Sequence, residues 1–299
     1  MGAADAADAS LRPAAIFVNE GAGSAHSARV RAAVSLTRRA LDADLHVTET
    51  RDRDELAAFL AERIGRYGTV IIAGGDGSLG VAYNVAAGRD LVLGYIPAGF
   101  GNATAHLLDL PRHPAALAGL LAAVDARPVD LVDINGRLAL FAGAGWDALV
   151  AGRYASGGAK QVRGWAGSVV RSLPDLSRRW VARLEADGTA VHEGPMILAV
   201  VSVTPFYGRG LRVNPGARPD QGRVTLRTYA GPAPKQAAEA MRWVARRLPS
   251  APAVHAESVT LTSLDDRPIP AQADGDLIGA ELEWRFTIRP AAVRLIGKW

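Results

Sequence analysis

The stretch Val70-Ile71-Ile72-Ala73-Gly74-Gly75-Asp76-Gly77-Ser78, followed by Leu91 to Ile96 and Pro97-Ala98-Gly99-Phe100-Gly101-Asn102, decides the reading of this chain. An apolar run breaks into a glycine turn, a helical segment from Leu79 to Ala87 follows, and a second apolar run breaks into a second glycine turn. Glycine at a strand end lets the backbone reach positive φ and approach a ligand without a Cβ in the way. The helix that follows such a turn points unpaired N–H groups and a partial positive charge back at it. Two such units in tandem make a floor for phosphate groups.

Working outward, strand and helix alternate through the first half. Ala15 to Asn19, Leu45 to Thr48, Thr69 to Ala73 and Leu91 to Ile96 read as strands. Arg29 to Leu41, Asp54 to Tyr67 and His113 to Val124 read as helices, the second with Leu56, Phe59, Leu60 and Ile64 on one face. This order predicts a largely parallel sheet covered on both faces. Beyond Pro128 the pattern changes to hairpins. Asn135-Gly136 joins Leu131–Ile134 to Leu138–Ala142. Trp180–Glu185 and Met196–Val203 flank a polar connection with Asp187-Gly188, and Val224–Tyr229 and Ser258–Thr262 are further strands. Gly164–Leu173 and Lys235–Leu248 read as helices. The expected architecture is an α/β nucleotide-binding domain over residues 13–129 and a mostly antiparallel β-rich domain over 130–287, with the cleft between them as the small-molecule site.

Composition sets bounds. The chain has 299 residues, 49% hydrophobic, enough for two ordinary cores. It has no cysteine, which excludes disulfides and thiolate chemistry and suits a cytoplasmic location. The formal net charge is +4, and only Lys160, Lys235 and Lys298 are lysines, so the positive charge is nearly all arginine. No aromatic-basic stripe marks a nucleic-acid partner, whereas anionic lipid headgroups are compatible. The alanine-rich start lacks the basic and apolar regions of a signal peptide, Ala6 stands where a myristoylation signal needs Ser or Thr, and no stretch is long enough to span a bilayer. Contact with lipid is therefore expected from the surface, at the inner face of a membrane.

The two glycine turns resemble those of the diacylglycerol kinase catalytic family, which includes bacterial lipid kinases and sphingoid-base kinases and usually reads Gly-Gly-Asp-Gly-Thr and then Pro-x-Gly-Thr-x-Asn. The resemblance runs along nearly the whole chain. It implies a fold shared with NAD kinases, with the last segment, about 288–299, returning to the first domain. It implies ATP and Mg2+ as cofactors, a lipid substrate at a membrane surface, and phosphoryl transfer to a lipid hydroxyl; a homodimer is compatible with it.

Residue by residue, Asn19, Gly23 and Ser24 resemble the family's Asn-Pro-x-Ser-Gly, with Glu20 for proline. Alone they read as a plain strand-to-helix connection with Ser24 or Ser27 as N-cap. With Gly74, Gly75, Asp76, Gly77, Ser78, Pro97, Gly99, Gly101 and Asn102 they are the nucleotide-binding candidates. Asp76 is awkward against bare phosphate and makes sense with a magnesium ion or a hydrogen-bonding network between, near the γ-phosphate. There is no Gly-x-x-x-x-Gly-Lys-Ser/Thr, so this is not a P-loop ATPase. Gly145-Trp146-Asp147-Ala148 resembles Gly-Phe-Asp-Ala, which sets Asp147 near the acceptor hydroxyl; the bland alternative is a helix-capping aspartate. Tyr207-Gly208-Arg209-Gly210 resembles Tyr-Gly-Gly-Gly, so Tyr207, Gly208 and Gly210 join the acceptor side.

In the family a carboxylate in the next stretch helps hold a structural magnesium. Gln221 stands in that register here and Asp220 one residue before it, so either Asp220 serves as the ligand by a backbone shift or the ion is absent. Gln272-Ala273-Asp274-Gly275-Asp276 resembles the motif that ends Asp-Gly-Glu. It adds Asp274 and Gly275 to the nucleotide side and makes Asp276 the general base, one methylene shorter than usual; by itself it reads as an Asp-Gly hairpin. Phe100, Ala103 and Val81 replace usual polar residues. Two other readings stay open: an NAD-kinase-like soluble kinase, and a non-catalytic nucleotide- or lipid-binding protein.

Overall fold

The computed structural model describes residues 13–156, 167–168, 170–207, 210–245 and 247–298. Its contacts divide the chain into two compact units, one through Val129 and from Ala291 on, the other Asp130–Pro290.

In the first unit, β1 (Ala14–Asn19), β2 (Asp44–Thr48), β3 (Thr69–Gly74) and β4 (Val92–Pro97) form a parallel sheet in the order β2-β1-β3-β4. The chain's final strand, Glu283–Ile296, adds its last residues to β4 in parallel, Arg294 opposite Val92 and Leu295 opposite Leu93. Every residue of β1, β3 and β4 is buried, which explains why they read as unbroken apolar runs rather than alternating ones. Alternation still sorts the faces. Ile16 and Val18 pack with Val30 and Ala33 of α1 (Ala28–Leu41), and with Leu117 and Leu121 further along the chain. On the opposite face Phe17 meets Phe59 of α2 (Arg53–Ala61) edge-on, with ring centroids 5.9 Å apart. Helix α3 (Asp76–Ala86) packs beside α2; α4 (Ala103–Leu107) is a short turn of helix, and α5 (Pro114–Ala122) carries Leu117 and Leu121 beside α1.

Two expectations are corrected here. The helix expected from Leu79 begins at Asp76, so Asp76, Gly77 and Ser78 form its first turn. Glycine's poor helix propensity concealed this; the packed face through Leu79 and Tyr83 overrides it. The helix expected to run to Tyr67 ends at Ala61, and a separate 3-10 turn, Ile64–Arg66, follows.

Strand β5 (Ala126–Ile134) carries the chain from one unit to the other and pairs with β6 (Arg137–Ala139) through the Asn135-Gly136 turn, both residues at positive φ (47° and 93°), as the sequence predicts. Next come β7 (Phe141–Gly145), α6 (Trp146–Ser156), β8 (Trp180–Ala186), β9 (Thr189–Met196) and β10 (Leu198–Ser202). The pair β11 (Phe206–Tyr207) and β12 (Leu211–Arg212), then β13 (Val224–Tyr229), α7 (Ala233–Val244), β14 (Val254–Ala256), β15 (Ser258–Ser263), β16 (Ile269–Ala273) and β17 (Asp276–Glu281) complete the unit. Six strands form an antiparallel sheet in the order β14-β13-β10-β7-β16-β17, and β15, β8 and β9 extend antiparallel from the first half of the final strand. The connection read as polar between Trp180–Glu185 and Met196–Val203 contains strand β9. It is an edge strand with mostly exposed residues, so it carries no apolar signal to be read. The helix expected over Gly164–Leu173 falls mainly outside the described residues; Leu173–Ser177 is a 3-10 turn.

Candidate functional site

In the first unit three turns meet at the carboxyl ends of β1, β3 and β4. Their polar side chains are spent on one another. Asn19 donates from Nδ2 to Ser78 Oγ (3.1 Å) and accepts from the Gly21 N–H (3.0 Å). Ser24 donates from both N and Oγ to the Ala98 carbonyl (2.8 and 2.9 Å), and Ser27, not Ser24, caps α1. Asn102, at φ 45°, accepts from Gly99 N (3.1 Å) and from the Tyr95 hydroxyl (3.2 Å), and its Nδ2 donates to Gly99 O (3.0 Å).

Asp76 does the same across the turns. Its carboxylate accepts the Ala103 N–H (3.0 Å) and the Thr104 N–H (3.2 Å), so it caps α4 from 27 residues away. Burial raises its pKa, opposed by those N–H bonds. What the turns leave open is backbone and space. A Cβ on Gly99 would lie 2.6 Å from the Gly75 Cα, and one on Gly74 2.7 Å from the Ser78 Cβ. No side chain caps α3, so its first N–H groups stay open at the turn. Main chain and a helix terminus arranged in this way are able to hold an anion. Sequence reading missed Tyr95 and the N–H groups of Ala103 and Thr104, because nothing in the local spacing says which helix Asp76 caps.

The second unit places Asp147 in the first turn of α6, after Gly145 (φ 107°) turns the chain out of β7. Gln272 on β16 stands opposite Gly143 on β7, and the Asp147 carboxylate lies where a Gly143 side chain would be. Gln272 Nε2 donates to Asp147 Oδ2 (3.0 Å) and to Tyr207 Oη (3.4 Å), and Gln272 Oε1 accepts from Gly275 N (2.7 Å). The Tyr207 hydroxyl donates to the Ala142 carbonyl at 3.0 Å, and its ring lies 4.3 Å from that of Phe141. Asp147 Oδ1 is buried without a hydrogen bond among the described residues. Burial pushes the carboxyl up to about 6, held back chiefly by the Gln272 bond. Burial also raises the Tyr207 phenol well above its ordinary value. Gly143 and Gln272 went unassigned in the sequence because only the β7–β16 register brings them beneath Asp147.

Asp274 (φ 50°) and Gly275 (φ 89°) form the hairpin turn between β16 and β17. The Asp274 carboxylate accepts the N–H groups of Leu140 (3.0 Å) and Phe141 (3.1 Å). Asp276 is half-exposed and pairs with Arg137 NH2 at 3.3 Å. Gly208 lies outside the described residues, whereas Gly210 (φ 72°) lies just before β12. Asp220 takes a two-pronged pair from Arg218 (3.0 and 2.9 Å), and Gln221 donates to the Arg223 carbonyl (3.1 Å). The buried Asp130 holds the same loop through the Gly222 N–H (2.7 Å). With the Asp220 carboxylate turned to a guanidinium, this stretch does not fit a magnesium ion. Among the described residues no three or more His, Cys, Asp or Glu side chains cluster as a metal site, and no helix is long and apolar enough to cross a membrane.

Comparison with known proteins agrees with this geometry. Residues 13–134 match the diacylglycerol kinase catalytic domain and residues 142–297 the YegS C-terminal NAD kinase beta sandwich-like domain. A diacylglycerol kinase of Mycobacterium tuberculosis is 33% identical over 219 residues, 68% of this chain and 69% of that protein. A probable lipid kinase YegS-like of Pseudomonas aeruginosa is 38% identical over 37% of each chain. A putative diacylglycerol kinase from Bacillus anthracis shares the fold with a TM-score of 0.76 at 19% identity, covering 96% of this chain and 97% of that one. An NAD kinase from Archaeoglobus fulgidus in complex with ATP is similar at a TM-score of 0.55 and 13% identity, over 95% of this chain and 93% of that one. The chain therefore belongs to the diacylglycerol kinase catalytic family, with the family's α/β first domain and β-rich second domain. It is a kinase that phosphorylates a hydroxyl group.

Proposed function

We propose that this protein transfers the terminal phosphoryl group of ATP to the hydroxyl of a lipid, diacylglycerol-like or sphingoid-like. The observation that carries the donor half is the close approach of Gly75 and Gly99 in front of the open N-terminus of α3, a main-chain cradle suited to phosphates. The names of the relatives support the lipid acceptor.

In this reading the turns at 19–24, 74–78 and 97–102 hold the nucleotide through backbone groups. Asp76 is a positioning residue: its bonds to Ala103 and Thr104 fix the third turn against the second. The Thr104 hydroxyl and the Asn102 backbone also bond to it, so its four acceptor sites are taken up and it acts through the turn it holds. Magnesium bound with ATP would neutralise phosphate charge, as in other phosphoryl transfers. Asp276 takes the proton from the acceptor hydroxyl as its oxygen bonds to the γ-phosphorus; the bond to the β-phosphate oxygen breaks and ADP leaves. Asp147, Gln272 and Tyr207 orient the acceptor, with Asp147 Oδ1 as the group lacking a partner. Asp274 and Gly275 contribute by shaping the hairpin that presents Asp276.

The test is a radiolabelled-ATP assay against diacylglycerol, sphingoid bases, bulk lipid extracts and NAD. Label in a lipid supports the reading. Label only in NAD supports the NAD-kinase-like alternative, which the similarity to an NAD kinase fold motivates. ATP binding with no labelled product would mean a non-catalytic binding protein.

A further inference from the structure

Three large apolar side chains are more than 60% exposed among the described residues: Leu248 (69%), Met241 (66%) and Val170 (62%). They fall on two elements that pack together, α7 with the segment after it, and the 3-10 turn Leu173–Ser177 with the residues before it. Leu173 on that turn is also exposed.

Helix α7 places a large apolar side chain in solvent. Here the buried residues include Gln236 and Glu239, while Met241 stands in solvent beside exposed Ala237, Ala238 and Arg242. The inward groups are satisfied: Gln236 donates to the Ala230 carbonyl (2.7 Å), and the Glu239 carboxylate accepts from Ser250 N (2.9 Å) and Oγ (2.6 Å). Arg242 Nε donates to the Leu248 carbonyl (3.0 Å), which folds the following segment back and leaves the Leu248 side chain outside. The outward arrangement is therefore held in place by the inward one.

The charge around these tips has one sign. Between residues 230 and 256 the described cations are Lys235, Arg242 and Arg247, and the only carboxylate in that stretch of sequence, Glu239, is buried. On the neighbouring segment Arg171 and Arg178 are exposed, and Asp175 is paired with Arg153. Apolar tips among cations, with no exposed carboxylate among the described residues of the two segments, fit the boundary of an anionic bilayer: the side chains enter the acyl edge and the guanidiniums meet phosphate. A second copy fits poorly, because a two-fold contact would set this basic patch against itself.

We propose that α7 and the 170–178 segment form the surface by which this protein docks on an anionic lipid bilayer. The inference takes its purpose from the lipid-acceptor reading, but docking is measured without ATP, so the two fail separately. Full-length protein is sedimented with vesicles of phosphatidylcholine alone and of phosphatidylcholine with about one third phosphatidylglycerol, over roughly 0.05 to 0.5 M salt. The wild type should bind the anionic vesicles at least about tenfold more tightly, and salt should weaken that binding. The double variants Met241→Ser with Leu248→Ser, and Arg171→Glu with Arg247→Glu, should each lose about tenfold or more of it. Both should keep the wild-type circular dichroism and the wild-type rate on a soluble short-chain acceptor. No wild-type binding, or binding that both variants retain, would overturn the proposal. So would loss of self-association, read by light scattering, in variants that still bind vesicles. Persistent vesicle binding with no product from any acceptor would instead refute the lipid-kinase reading and leave the docking surface standing.

Discussion

Replacing Asp147 by Asn tests the acceptor side through stability as well as activity. Burial raises this carboxyl from 3.8 to about 6, although Gln272 donates to it. Folding thus disfavours the charged form by about 3 kcal/mol, an upper figure because the residue as a whole keeps some contact with solvent although its carboxyl is buried. The sign follows from proton binding. Between those values the folded chain keeps a proton that the unfolded chain has released. The group's contribution is therefore full below pH about 4 and is lost as pH rises through about 6. Asn has nearly the same shape and no charge to desolvate. Relative to wild type, Asp147→Asn should gain up to about 3 kcal/mol in stability between pH about 4 and about 7.5. Urea unfolding at a series of pH values, followed by tryptophan fluorescence, reads this difference directly. The absolute difference at any one pH also contains the changed bond to Gln272, whereas its change with pH does not. Activity should move the other way: wild-type turnover should fall as pH drops below about 6 and Asp147 takes up its proton, and Asp147→Asn should turn over more slowly than wild type above that pH. A stability difference that stays constant across this range would refute the assignment of a buried Asp147 with a raised pKa.

Asp276→Asn should lower kcat by at least about a hundredfold with little change in ATP affinity, while Asp276→Glu should be tolerated or mildly harmful; unchanged kcat in the Asn variant removes Asp276 from the mechanism. Asp76→Ala strips the cap from α4, so it should lower stability by about 1–3 kcal/mol and reduce turnover more than ATP binding; calorimetry and kinetics that leave turnover intact would contradict its positioning role. Gly99→Ala drives a methyl group into the Gly75 backbone and should weaken ATP binding about tenfold or more, at about 1–3 kcal/mol; an unchanged dissociation constant would show that the two turns need not touch. Gln221→Asp should not create magnesium affinity by itself, because Arg218 remains beside Asp220; an anomalous manganese peak there in crystals of the variant would show otherwise.

The sequence by itself determined the elements whose signals are local. Fully buried parallel strands appear as unbroken apolar runs because both faces are covered, so β1, β3 and β4 could be read within a residue or so. Asn135-Gly136 and Asp274-Gly275 announce their hairpins because few residue pairs adopt two successive positive φ angles. The glycines of 74–77 and 99–101 mark their turns for a different reason: none stands at positive φ, contrary to the sequence expectation, and Gly74 and Gly99 lack room for a Cβ.

Tertiary structure alone decided everything that depends on which distant segment arrives at a given place. The sequence can offer Asp76 as a charge near phosphate; only the fold shows it spent on the N–H groups of Ala103 and Thr104. Gly143 comes to lie beneath Asp147 only because β16 pairs with β7 in the register that sets Gln272 opposite it. Edge strand β9 has no apolar signal because its stability comes from backbone pairing with β8, which does not depend on side-chain type. The burial of Glu239 was hidden as well, since its partner Ser250 lies 11 residues further along. Local preference is written in neighbouring residues, whereas hydrogen-bond partnership and register are settled by the whole chain closing on itself.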